Sequence, residues 1–217
     1  MAQKKFAVIL AGCGVYDGSE IHEAVSVLLA IDQLNCEYQC FAPDVNQYHV
    51  INHLTGKVET GSRNVLVESA RIARGNVKKL SFFDPGDFDA LILPGGFGVA
   101  KNLCTFAIDG PDCLVNPEIE KIINKAYNAS LPIGALCISP VLIAKVLGKG
   151  TLTIGNDTGT ANAVERMGAI HQDTGGSEIV VDKENKIVTS PCYMLNSPIS
   201  VIARGAEKVV KKLIELI

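Results

Sequence analysis

Residues 131–143 read L-P-I-G-A-L-C-I-S-P-V-L-I. The first part, Pro132 to Leu136, is a short apolar run of strand length, and Ser139 to Leu147 has the apolar density of a buried helix. Pro140 fits the first turn of a helix, where its missing N–H costs nothing. A strand that runs straight into a helix is one half of a βαβ unit, so the stretch predicts a parallel sheet covered by helices. Cys137 stands at the joint.

The same alternation extends upstream: Phe6 to Ala11 then Ser19 to Asn35, Tyr38 to Ala42 then Arg63 to Arg74, Asp89 to Pro94 then Pro117 to Ala129. Between Glu20 and Leu34, the residues Ile21, Ala24, Val25, Leu28, Leu29, Ile31 and Leu34 make a wide apolar stripe at helical period, as a helix lying on a sheet requires. Downstream the pattern changes. S-E-I-V-V-D from Ser177 and K-I-V-T-S from Lys186 are joined through D-K-E-N-K, whose Asp182 and Asn185 suit a hairpin turn, and a closing helix runs from about Ser200 to Leu216. The hairpin and the loop from Val50 to Val58 read as decorations on one sheet, and residues 1–217 as a single α/β domain.

Composition excludes several function classes. Hydrophobic residues make up 47% and charged residues 20%, which is a globular balance. The formal net charge is -3 with Lys and Arg scattered, so neither nucleic acid nor an anionic membrane is an expected partner. The apolar stretch after Lys4 and Lys5 is too short for a membrane span and reads as a first strand, not a signal peptide. Seven cysteines without C-x-x-C pairs or histidines at ligand spacing point to cytoplasmic thiols, with no structural disulfide, zinc or other cofactor expected.

In an open α/β sheet, function gathers at the carboxyl ends of the strands. Three strand-end turns stand out. G-A-L-C-I-S-P from Gly134 has the form of a nucleophile elbow: Gly134 and Ala135 supply room, and the following helix start would favour thiolate at Cys137. The pattern fits equally a small buried hydrophobe. L-P-G-G-F-G from Leu93 is either a tight glycine turn or a source of bare N–H groups, Gly95 and Gly96 among them, for an oxyanion.

The turn A-G-C-G-V-Y-D-G-S-E-I-H-E from Ala11 admits two readings. Gly12, Gly14 and Gly18 with Asp44 resemble a dinucleotide loop, though the spacing misses G-x-G-x-x-G by one and Asp17, Glu20 and Glu23 would repel a pyrophosphate. Alternatively Glu20 and Glu23, three apart on one helical face, supply a general acid/base, unless they merely complement the helix start. His49 and His53, four apart in a loop, lack a third ligand and read as solvated; His22 and His171 have no evident partner. No histidine follows the elbow where a Cys-His pair would want it; Asn156 and Asp157 stand there instead.

Taken together, A-G-C-G-V-Y-D-G-S-E-I-H-E-A from Ala11, R-N-V-L from Arg63, P-G-G-F-G-V-A-K-N-L from Pro94, G-A-L-C-I-S-P from Gly134 and T-L-T-I-G-N-D-T from Thr151 resemble the ElbB-like branch of the PfpI and class I glutamine-amidotransferase-like superfamily, over nearly the whole chain. The resemblance implies a flavodoxin-like three-layer sandwich with Cys137 as nucleophile, Glu23 as the proton-sharing carboxylate, Glu20 beside it, and the N–H groups of Gly96 and Ile138 as oxyanion donors. It implies a homodimer and a cofactor-free glyoxalase acting on a small aldehyde. Where amidotransferases and PfpI-type members carry a histidine after the elbow, this chain has Ile138 next to the cysteine and Asn156 or Asp157 further on, which argues against glutaminase or peptidase chemistry. The alternative is a low-turnover redox sensor using the same thiol.

Overall fold

A computed structural model describes residues 3–217. In chain order the elements are β1 (Lys5–Ile9), α1 (Ile21–Gln33), β2 (Glu37–Ala42), α2 (Val65–Ile72), β3 (Val77–Lys79), β4 (Ala90–Leu93), α3 (Phe106–Asp109), α4 (Pro117–Asn128), β5 (Ile133–Leu136), α5 (Pro140–Leu147), β6 (Thr151–Leu152), α6 (Thr158–Arg166), β7 (Ile170–His171), β8 (Val180–Asp182), β9 (Ile187–Ser190) and α7 (Ile199–Leu216). Seven strands form one sheet in the order β3-β2-β1-β4-β5-β9-β8, parallel except where β8 runs against β9. The fold is a flavodoxin-like α/β sandwich.

The strand period of two divides each strand's side chains between the two faces. On β1 and its continuation, Ala7, Ile9 and Ala11 enter the core that includes α4 and α5, while Phe6, Val8 and Leu10 enter the core that includes α1 and α7. Leu91 and Leu93 on β4 face the first core and Ala90 and Ile92 the second. Because both faces are covered, the central strands carry continuous apolar runs rather than alternation. The apolar stripe of α1 divides too: Ala24, Val27, Leu28 and Ile31 are buried, whereas Ile21, Val25 and Leu29, at i, i+4 and i+8, are exposed.

The hairpin is placed differently from the sequence expectation. Its turn forms as expected, with Asn185 donating from its backbone N–H to Asp182 Oδ1 at 3.0 Å and from Nδ2 to Asp182 Oδ2 at 2.8 Å. Yet β9 is no decoration, since it lies parallel to β5 inside the sheet, Ile133 to Leu136 registering with Ile187 to Ser190. Gly134 serves this packing rather than the elbow: a Cβ there would come within 2.8 Å of Leu213 Cδ1 on α7.

Candidate active site

The chain turns from β5 into α5 through Cys137, whose φ of 59° is left-handed, a conformation that costs a non-glycine residue energy and is characteristic of a nucleophile elbow. The surroundings enforce it. Cys137 N–H donates to Ser190 O at 2.9 Å, Ser139 N–H donates to Leu136 O at 2.9 Å, and the buried Ser139 hydroxyl donates to Pro94 O at 2.7 Å, tying the elbow to both neighbouring strand ends.

Glu23, on the first turn of α1, is fully buried against the thiol. Two backbone donors hold its carboxylate: Gly95 N–H to Oε2 at 2.9 Å and Tyr193 N–H to Oε1 at 3.1 Å. Burial wins over these donors and raises its pKa from the ordinary 4.5 to about 7, with the nearby Glu20 adding to the rise. Glu20 itself caps α1, accepting from Glu23 N–H at 2.7 Å, while its own N–H donates to Gly95 O at 2.9 Å. Glu20 is thus a helix cap, and it also lines the cavity described below.

Gly95 and Gly96 have different duties. A Cβ on Gly95 would stand 2.4 Å from Cys137 Cβ and 2.7 Å from Glu23 Oε2, so only glycine lets thiol and carboxylate meet over this backbone. Its N–H is committed to Glu23 and is not an oxyanion donor, a correction to the expectation for that residue. Gly96, at φ 106°, aims its N–H at the Cys137 sulfur instead.

The thiol is not the acidic one the helix start suggested. Burial and the adjacent Glu23 carboxylate push its pKa well above the ordinary value, outweighing the Gly96 N–H that pulls it down. The helix begins only at Pro140, three residues on, beyond the range at which its dipole acts strongly. The pair therefore rests as a protonated thiol beside a carboxyl group that ionises near neutrality.

Cys137, Ile138, Gly96 and Glu20 open on a cavity of about 260 Å³ whose remaining walls include Val15, Phe97, Phe106, Thr160, Tyr193 and Met194. Among the described residues, no lysine or arginine lines it. Asn156 and Asp157 are exposed and do not line it either. Asp157 is the N-cap of α6, its Oδ2 accepting from Thr160 N–H at 2.8 Å, so the residue type reflects helix capping. Tyr193 is the member that sequence reasoning missed. It follows β9, and applying the strand-end rule to K-I-V-T-S would have pointed to it.

The other candidate residues serve the scaffold. Asp44 lies on the surface with Lys79 and Asn64. The loop carrying Gly12, Gly14 and Gly18 is bound to the Pro94 turn, with Phe97 N–H donating to Val15 O at 2.8 Å and Gly98 N–H to Gly18 O at 2.9 Å. His53 is not free in solvent: its Nδ1 bonds Ile51 O at 3.0 Å and its Nε2 accepts from Tyr16 N–H at 3.2 Å. His22 Nδ1 meets the Tyr193 hydroxyl at 2.9 Å, and His171 Nε2 accepts from Ile154 N–H at 3.3 Å.

No family model matches the chain. Over 98% of its length it is 47% identical to the ES1 protein homolog, mitochondrial, of Rattus norvegicus, covering 84% of that protein. It is 46% identical, again over 98% of its length, to glutamine amidotransferase-like class 1 domain-containing protein 3, mitochondrial, of Homo sapiens, covering 83% of it. The chain belongs to this ES1 and ElbB-like family of class I glutamine-amidotransferase-like proteins. A crystal structure from Ehrlichia chaffeensis, described as an isoprenoid biosynthesis protein with amidotransferase-like domain, matches at a TM-score of 0.93 and 39% identity, over 98% of this chain and 99% of that one. Glyoxalase III from Candida albicans shares the fold at 17% identity and a TM-score of 0.62, over 96% and 97% of the two chains. Family membership thus rests on the ES1 relatives and the Ehrlichia protein. Among the described residues, no helix is long and apolar enough to cross a membrane.

Proposed function

We propose that this family member is a cofactor-independent glyoxalase that converts uncharged 2-oxoaldehydes to hydroxy acids through Cys137 and Glu23. The observation that carries this reading is the buried thiol and carboxyl pair, one member raised well above its ordinary pKa and the other raised to about 7, at the base of a cavity with no cationic side chain. As the sulfur attacks the aldehyde carbon, the thiol proton passes to the Glu23 carboxylate and on to the new alkoxide, which Gly96 N–H and Ile138 N–H stabilise. Glu23 then removes the proton from the former aldehyde carbon and returns one to the neighbouring carbon, giving a hydroxyacyl thioester. Water cleaves the thioester, freeing Cys137 and the hydroxy acid. The overall change is the addition of one water to the oxoaldehyde, so no oxidant is consumed.

A cavity without lysine or arginine suits a neutral carbonyl compound better than an amino acid carboxylate, which disfavours glutaminase chemistry. The redox-sensor alternative needs an exposed, acidic thiol, and Cys137 is 7% exposed with its pKa raised. We further propose a homodimer built on the exposed Ile21, Val25 and Leu29 stripe of α1, read out as molecular mass in solution. Thiol usage supports the cytoplasm, and similarity to the Ehrlichia isoprenoid biosynthesis protein supports a link to isoprenoid synthesis. The deciding experiment is glyoxal and methylglyoxal turnover by the unaltered chain and by Cys137→Ala. Activity abolished in the variant is the expected result; undiminished turnover overturns the assignment.

A further inference from the structure

The cavity over Cys137 is larger and more apolar than the smallest 2-oxoaldehydes require. Its volume of about 260 Å³ approaches the roughly 300 Å³ at which pockets for drug-sized ligands begin, and two joined carbonyl groups fill only a small part of it. Away from Cys137 and Glu20, most of the wall is built from Val15, Phe97, Ala100, Phe106, Ile138 and Met194. Phe97 is held in place on this wall. Its N–H donates to Val15 O at 2.8 Å, and Lys101 Nζ, which donates to Tyr16 O at 3.1 Å, lies 5.1 Å from the centre of its ring. Even so, the ring is 50% exposed, which leaves apolar area for a ligand to cover. A π-helical turn, Val99–Leu103, brings Ala100 to the same wall, where a single methyl group keeps the space that a longer side chain would fill.

We propose that this wall is an aryl subsite and, on the basis of the glyoxalase reading, that the preferred substrates are 2-oxoaldehydes with an aryl group on the ketone carbon, phenylglyoxal being the simplest. Phe97 and Phe106 offer ring surface for edge or offset stacking, and the Met194 thioether makes favourable contact with an aromatic ring. An aryl group asks for no polar partner beyond those at the reacting carbonyls. A negatively charged substituent, by contrast, would meet the Glu20 carboxylate on the lining. At the elbow the Cys137 sulfur bonds to the aldehyde carbon, the hydrogen on that carbon leaves as a proton to Glu23, and the electron pair left behind forms an enediol double bond. Reprotonation at the aryl-bearing carbon gives the thioester, and water breaks its carbon–sulfur bond. Phenylglyoxal plus one water becomes mandelic acid, with the thiol restored and no oxidant consumed.

Two measurements on the full chain test this. The first needs no turnover: methionine methyl groups are labelled with carbon-13 and acetophenone, an aryl ketone without the aldehyde, is titrated in, with acetone as the same ketone lacking the ring. Acetophenone should shift the Met194 methyl signal saturably while acetone does not, and Met167, packed in the core on the other face of the sheet from α1, should stay still. The second compares initial rates. Phenylglyoxal should exceed glyoxal by about 10-fold or more in kcat/KM, as burial of a ring predicts, and Phe97→Ala should lower that ratio by about 3- to 10-fold. No shift at Met194, an equal shift with acetone, or glyoxal turned over as well as phenylglyoxal overturns the proposal. A Met194 shift with no aldehyde turned over upholds the aryl subsite and removes the glyoxalase reading, whereas glyoxal turnover without the shift does the reverse. The titration decides on the unaltered chain even if Phe97→Ala fails to fold.

Discussion

Replacing Glu23 by Gln keeps the side-chain shape and removes the group that titrates. Glu23 is fully buried and its pKa rises from 4.5 to about 7, chiefly through desolvation, so the folded state prefers it protonated. At about 1.4 kcal/mol per pH unit, that rise is worth about 3 kcal/mol. Below pH 4.5 the carboxyl is protonated in both folded and unfolded chains, and its full contribution to stability is present. As pH climbs to about 7 and above, the unfolded chain releases the proton more readily than the folded one, and the contribution is lost. The variant also forfeits a hydrogen bond, because one of the two N–H donors from Gly95 and Tyr193 will face an amide NH₂, but that cost does not change with pH. The stability of Glu23→Gln relative to the unaltered chain should therefore improve by about 3 kcal/mol between pH 4.5 and pH 8, whatever its starting offset. Denaturant unfolding at a series of pH values measures it. A stability difference that stays flat across this window would refute the reasoning, and with it the raised pKa on which the acid/base role depends.

Three further outcomes follow from the same geometry. With Glu23 as base, glyoxal kcat/KM should rise with pH through about 7, and the alkaline limb should lie far higher because the Cys137 pKa is raised; a profile level from pH 5 to pH 8 contradicts this. Gly95→Ala forces a Cβ to within 2.4 Å of Cys137 Cβ, and should cost about 1–3 kcal/mol of stability and about 100-fold in kcat/KM, measured by denaturation and steady-state kinetics. Asp157→Ala removes the α6 cap and should cost about 1 kcal/mol of stability while leaving kcat/KM unchanged; a large kinetic loss would return Asp157 to the site.

Much of the sheet is legible because its signal is local. Each βα pair announces itself by a short apolar run, a strand-end turn and a helical stripe, and the elbow at Cys137 is one of these turns. The position of β9 is not legible, since I-V-T-S reads alike at an edge or in the interior. Its burial depends on partners such as Thr153, whose N–H donates to Thr189 Oγ1 at 2.9 Å. The carboxylate clamp is hidden for a different reason: the N–H groups of Gly95 and Tyr193 do the holding, and a backbone donor has no residue-type signature. The raised pKa of the thiol is hidden from sequence because a helix start can be read there, whereas complete burial beside the Glu23 carboxyl cannot. Asn156 and Asp157 sat at a plausible distance after the elbow, but the feature that mattered was the capping pattern from Asp157 to Thr160.

The clamp on Glu23 joins residues 170 positions apart. During synthesis the carboxylate on α1 emerges early, the thiol only after most of the sheet, and the chain that carries Ser190 and Tyr193 later still. A ribosome-bound intermediate thus lacks both the strand that holds the elbow backbone and the donor that orients the base. The chain completes its folding instructions before it arms its reactive pair, and a product truncated ahead of β9 is chemically unassembled as well as structurally incomplete.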